Sequence, residues 1–212
     1  MPECGGVPVQ RLDREGTTDR EEPRTLSGDG EHDGPATTGT ERSRLIIVRG
    51  NSGSGKSQLA RAIRAARPRG VAIIGHDVLR REILHVRDHP GALSVPYIDL
   101  SARFALDHGL DVVVEGILHS ESYGEMLARL RDDHVGVTRC YYYELSLDET
   151  LRRHRTKALA AEVSEADVAS WYRSEDRVAA LDEAVFDATV SAADALERVL
   201  VDAGWTTAHP RG

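Results

Sequence analysis

From residue 44 onward, short uninterrupted apolar runs alternate with longer stretches in which apolar positions recur at helical spacing. Leu45-Ile46-Ile47-Val48, Val71-Ala72-Ile73-Ile74 and Val112-Val113-Val114 are β-branched runs without a polar interruption, as strands buried on both faces require. The pattern predicts strands over 44–49, 71–74, 111–116, 137–145 and 183–190. Between them it predicts helices. Leu59, Ala60, Ile63 and Ala66 mark one over 58–67, closed by Arg67-Pro68-Arg69-Gly70. Others are predicted over 78–84, over 99–108 with Leu100, Phe104 and Ala105 on one face, and over 122–130. Further helices follow from Ser146 through Lys157, over 158–182, and over 192–203 behind a Ser191 cap. Residues 85–98 contain two prolines and a glycine and read as a loop with short helical pieces.

One stretch departs from both patterns. Gly50-Asn51-Ser52-Gly53-Ser54-Gly55-Lys56-Ser57 follows the first strand, precedes the first helix and fits G-x-x-x-x-G-K-[ST], the phosphate-binding loop of nucleotide-binding proteins. Its glycines let successive backbone amides turn inward, and the helix behind them directs its positive end at the same anion. Lys56 supplies a cation for the β- and γ-phosphates, and the Ser57 hydroxyl is a ligand for Mg2+.

Composition narrows the setting. The chain has 212 residues and a net charge of −8. Residues 1–43 hold ten acidic and five basic side chains and no aromatic. That segment reads as a disordered extension, because it offers little apolar surface to offset its ordering entropy. The remainder is close to neutral, so an extended nucleic-acid surface is not expected. Two separated cysteines, no membrane-length apolar run and no signal pattern suggest a reducing, cytoplasmic setting. The domain is expected over 44–204, with a short tail at 205–212. The only lysines are Lys56 and Lys157, beside twenty-five arginines, which marks both positions as chemically particular.

Several side chains fall at the carboxyl ends of the predicted strands, the edge where open parallel sheets bind ligands. Asp77 follows the second strand. It can cap the next helix, act as general base for a substrate hydroxyl, or do both. Arg80 lies one turn beyond on the same side, placed for a phosphate contact or an ion pair. Glu115 ends the third strand in Val-Val-Val-Glu-Gly, where a carboxylate would serve magnesium or substrate. His119 and Tyr123 come next as candidate substrate contacts. After the fourth strand, Arg153, Arg155 and Lys157 form a cationic group suited to the charge spread over a transferring phosphoryl group. The run Tyr141-Tyr142-Tyr143 is expected to pack within its strand.

These residues together resemble the small P-loop kinases of the nucleoside-kinase-like group, which includes gluconate and shikimate kinases, chloramphenicol phosphotransferase and the kinase domain of polynucleotide kinases. The resemblance spans about residues 44–200. It rests on the loop at 50–57, on D-x-x-R at Asp77 and Arg80, and on a strand followed by the run from Glu149 to Lys157, with Arg153 and Lys157 at its basic positions. It implies an α/β P-loop NTPase fold: a five-stranded parallel sheet of order 2-3-1-4-5, helices on both faces and a helical lid. It also implies ATP and Mg2+ as cofactors, Asp77 as base, and Arg153 and Lys157 in the lid. The resulting expectation is an ATP-dependent kinase acting on a hydroxyl of a metabolite or antibiotic. Alternatives are a 5′-hydroxyl polynucleotide kinase, which Asp77 and Arg80 favour and the near-neutral domain opposes, and a nucleotide-binding regulatory ATPase.

Overall fold

In the computed structural model, which describes residues 37–67, 69–155 and 163–205, the strands are β1 (Arg44–Gly50), β2 (Val71–Gly75), β3 (Asp111–Gly116), β4 (Val137–Tyr143) and β5 (Ala184–Phe186). They form one sheet of order β2-β3-β1-β4-β5, parallel throughout. The helices are α1 (Lys56–Ala66), α2 (Ser94–Asp107), α3 (Ser120–Asp133), α4 (Leu147–Arg155), α5 (Glu165–Trp171) and α6 (Ala192–Asp202). The fold and strand order implied by the sequence are those observed.

Alternation along the strands sorts the core into two layers. Leu45, Ile47, Val112 and Val114 face α2 and α3, meeting Ile98, Leu106 and Leu127. Ile46, Val48 and Val113 face α1 and α6, meeting Leu59, Ile63 and Val199. Both layers cover a sheet whose central strands β1 and β3 are buried except at Arg44, Asp111 and Glu115, so the polar strand ends are the available chemistry. The β4 tyrosines are buried, as expected of packing residues. Tyr141 stacks on Phe186 with ring centroids 5.0 Å apart and donates to Asp202.

Several elements differ from expectation. Helix α2 starts at Ser94, inside the predicted loop: Pro96 falls in the first turn, where its missing N–H costs nothing, and the buried Ser94 hydroxyl pairs with Tyr123. Its buried face is Ile98, Ala102, Ala105 and Leu106, whereas Leu100 and Phe104 are each 62% exposed. Val78–Ile83 is a π-helical turn. The helix predicted over 158–182 is α5 only within the described residues. Beyond Tyr172 the Arg173 backbone is captured by Asn51, and helix gives way to an irregular run ending in a 3-10 turn at Ala179–Leu181. Strand β5 is three residues long, not eight.

Packing also reaches past both expected boundaries. Thr38 bridges to His134, whose ring nitrogens meet Ser43 (2.9 Å) and Thr138 (2.8 Å). Buried Trp205 donates to Asp111 and lies under the Arg67 guanidinium. Buried Thr38 at one margin and buried Trp205 at the other thus pack beyond 44–204.

Candidate active site

The loop between β1 and α1 has the conformation its glycines permit. Gly50, Gly53 and Gly55 have φ of 138°, 81° and 113°, values at which a side chain would be strained. The nearly buried Lys56 donates to the Asn51 carbonyl (2.7 Å) and the Ser54 hydroxyl (3.2 Å). Ser57 Oγ donates to Glu115 Oε2 (3.0 Å), which register places beside Val48 on β1 and Gly75 on β2. This pair of oxygens on one wall fits a hard cation such as Mg2+. Among the described residues no cluster of three or more His, Cys, Asp or Glu side chains is poised to hold a metal ion, so most of such an ion's ligands would be phosphate and water.

A cavity of about 680 Å3 opens over this loop. Ser52 through Ser57 form its floor, Glu115 and Asp77 one side, Arg152 and Arg153 another. Arg153 reaches down to the Ser54 carbonyl (3.2 Å) while held at its Nε by Glu149 (2.6 Å). Arg152 binds Glu149 through two contacts, and these two guanidiniums hold the Glu149 carboxyl at about 2.

A second cavity, of about 940 Å3, lies beyond Asp77. Asp77 and Ile117 line both. The Asp77 carboxylate is 62% exposed, makes no helix cap, and meets Arg80 at 3.2 Å and Arg81 at 3.3 Å. The capping role open in the sequence is therefore not used. Behind this cavity, Tyr123 donates to Asp88 (2.6 Å) and pairs with His76 Nε2 (2.9 Å) and Ser94 (2.9 Å). Burial alone would raise Asp88; hydrogen bonds from His76 and Tyr123 outweigh it and hold its carboxyl below the usual range. Gly116 is required here, because a Cβ would lie 2.5 Å from that of His76. On the far wall Asp176 accepts from the Ser120 amide and hydroxyl and faces Arg49 (3.2 Å) and His119 (3.5 Å). Burial pushes its carboxyl up, but His119, Ser120 and Arg49 together bring it to about 2.

Of the residues singled out from sequence, Ser52, Gly53, Ser54, Gly55, Lys56, Ser57, Asp77, Glu115 and Arg153 converge on the first cavity. Asp77, Arg80 and His119 line the second. Gly50 lines neither: it ends β1 against Tyr143, whose carbonyl a Cβ would approach to 2.7 Å. Asn51 also lines neither, since its amide is spent on both backbone groups of Arg173. Tyr123 is fully buried behind His76 and supports the second cavity without facing it. Arg155 points to Glu165 (2.7 and 2.9 Å), outside both cavities. Lys157 lies outside the described residues. Sequence reasoning overlooked Arg49, fully buried and bonded to Leu118, Asp176 and Glu183. It also overlooked Arg152 and residues 188–192, which line the first cavity. Position at the carboxyl end of β5, before the Ser191 cap, was the available signal for that last group.

A family model described as an AAA domain matches residues 45–181. The chain belongs to that family. Among solved structures, a gluconokinase from Sinorhizobium meliloti 1021 is 20% identical with a TM-score of 0.55, covering 78% of this chain and 94% of that one. Mycobacterium tuberculosis APS kinase CysC, in complex with AMPPNP and APS, is 18% identical with a TM-score of 0.56, covering 78% and 98%. A sugar kinase from Janibacter sp. HTCC2649 is 16% identical with a TM-score of 0.51, covering 79% and 99%. The family member described here therefore has a P-loop kinase fold, as the sequence resemblance implied. No curated protein matches it. No described helix is long and apolar enough to cross a membrane.

Proposed function

We propose that this protein is an ATP- and Mg2+-dependent kinase that transfers the γ-phosphate to a hydroxyl of a small molecule. The observation that carries this reading is that Asp77 lines both cavities. A phosphate donor over the loop and an acceptor in the second cavity would meet at its carboxylate. The apolar and backbone surface of residues 188–192 beside Arg153 is suited to the adenine and ribose.

Each residue then has a task. The amides of Ser52–Ser57 and Lys56 hold the β- and γ-phosphates. Ser57 and Glu115 would hold Mg2+, which when bound offsets negative charge on the phosphate oxygens. Asp77 takes the acceptor's hydroxyl proton as its oxygen bonds to the γ-phosphorus and the bond to the β-phosphate bridging oxygen breaks, releasing ADP. Arg80 and Arg81 orient that carboxylate. Arg152 and Arg153 face the charge that spreads over the transferring group.

The test is transfer of labelled γ-phosphate, with Mg2+, to sugars, nucleosides, hydroxylated antibiotics and 5′-hydroxyl oligonucleotides, with Asp77→Ala as control. Labelling of one class, lost in the variant, is expected. Slow release of free phosphate alone, unchanged by the substitution, would remove Asp77 as base and leave a nucleotide hydrolase.

A further inference from the structure

Among the described residues, four buried side-chain polar atoms have no hydrogen-bond partner: His76 Nδ1, Arg80 Nε, His119 Nδ1 and Thr150 Oγ1. Three of the four belong to residues lining the second cavity. Leaving a buried donor unpaired costs about 1–3 kcal/mol, and such groups concentrate where a ligand completes them. Arg80 Nε is a permanent donor. Its other nitrogens are engaged, one by Asp77 and one by the Val86 carbonyl.

The charge lining that cavity is mixed, so what matters is which groups are already satisfied. Asp88 is held by Tyr123 and His76, Asp176 by Arg49 and Ser120, Asp167 by the Ser164 amide and hydroxyl, and Asp77 by Arg80 and Arg81. Among the described residues, Glu121 alone of the lining carboxylates has no such partner. On the cationic side, Arg87 makes no hydrogen bond or ion pair among the described residues, although it lines the same cavity. The unspent capacity therefore includes the Arg87 guanidinium, the buried Arg80 Nε–H and His76 Nδ1, whereas His119 Nδ1 already lies 3.5 Å from Asp176. That is a donor-rich pocket.

We propose that the acceptor of this kinase carries an oxyanion, a carboxylate or a phosphate-like group, beside the hydroxyl that is phosphorylated, and that Arg87 and Arg80 bind it. The assignment rests on the kinase reading above, and it names Arg87 as a specificity-determining residue. A forked guanidinium suits either oxyanion, because both present two coplanar oxygens. His76, whose Nε2 is engaged by Tyr123, keeps Nδ1 for the acceptor's polar body. The cavity volume of about 940 Å3 suits a metabolite-sized acceptor.

The test separates anion binding from catalysis. The full chain is first loaded with AMPPNP and Mg2+, so that the P-loop itself cannot take the probe. Inorganic phosphate, sulfate and malonate are then titrated calorimetrically. At least one is expected to bind, malonate alone indicating a carboxylate and phosphate or sulfate alone a phosphate-like group. Arg87→Gln should weaken that binding about tenfold or more, and Arg87→Lys less. Arg87 has no partner to lose, so the substitution leaves the fold intact. Arg129→Gln, on the outer face of α3, should bind as wild type. Absence of binding by all three probes, or unaltered binding by Arg87→Gln, overturns the proposal. Transfer to a neutral hydroxyl compound without probe binding would remove the oxyanion and keep the kinase. Probe binding lost in Arg87→Gln, with no transfer to any compound, would do the reverse.

Discussion

The two cavities that meet at Asp77 are built on opposite principles. The floor of the first is six consecutive residues, Ser52 to Ser57, and its ligand-facing chemistry is mostly backbone amide. The second draws its wall from residues within five separate segments, 76–81, 87–90, 117–122, 167–173 and Asp176, and charged side chains from each of them line it. A backbone cradle needs only the local conformation that glycines permit. A side-chain pocket needs distant segments fixed against one another, and here a few buried ties do this. Arg49 joins β1 to Leu118, Asp176 and Glu183; Asn51 holds the Arg173 backbone; Tyr123 joins His76 to Asp88 and Ser94. Both Arg49 and Asn51 sit at the loop, so the scaffold of the second cavity is anchored on the first.

The largest effect should come from the local cradle. Lys56→Ala removes the one cation set within the loop, and phosphoryl transfer is expected to fall about 10³-fold, measured as kcat/KM with labelled ATP. At the shared boundary, Asp77→Asn should lower kcat by about 10²–10³-fold and leave nucleotide affinity within about twofold. A parallel loss of nucleotide binding would place Asp77 in the first cavity alone.

The scaffold answers to different measurements. Arg49→Ala leaves Asp176 and Glu183 without their buried partner and should cost about 3–5 kcal/mol in urea unfolding. Acid should then dissect the ties by pH. His134 is kept near 4 by burial and by the Arg44 charge. Its contribution is fully present above its ordinary 6.5 and is lost as pH falls toward 4, by about 3 kcal/mol. Asp176, held at about 2 against an ordinary 3.8, contributes about 2 kcal/mol that is present above 3.8 and lost as pH falls through 2. Denaturant unfolding at a series of pH values should show both windows, and Asp176→Asn should abolish only the lower. The smallest effect is expected outside both cavities. Arg155→Ala breaks an exposed pair with Glu165 and should change stability by less than about 1 kcal/mol, with transfer unchanged. A large loss of transfer would mean that α4 brings Arg155 over the nucleotide during turnover.

Legibility in the sequence follows the same division. Lys56 and Ser57 could be read from the loop motif that follows β1, and Asp77 and Glu115 because each stands within two positions of the end of a strand with an unambiguous apolar pattern. Tyr123 was read as a substrate contact because spacing alone puts it near the same edge. Its actual direction, inward to His76 and Asp88, depends on a π-helical turn and a loop that no periodicity marks. The helix expected over 158–182 failed for a related reason. Its apolar spacing is genuine through Trp171, but Asn51 binds both backbone groups of Arg173, and a side-chain amide that does so competes with helical hydrogen bonds. Arg49 was invisible because an arginine within a strand run reads as an interruption, not as a fully buried cation.

By itself, then, the sequence determined the buried strands, the phosphate cradle and the acids at the ends of β2 and β3. These follow from steric and hydrogen-bonding rules that act within a few residues. Tertiary structure alone decided which wall each charged side chain joins. A carboxylate or guanidinium goes where burial leaves it a partner, and those partners lie far along the chain, as Glu183 does 134 positions from Arg49.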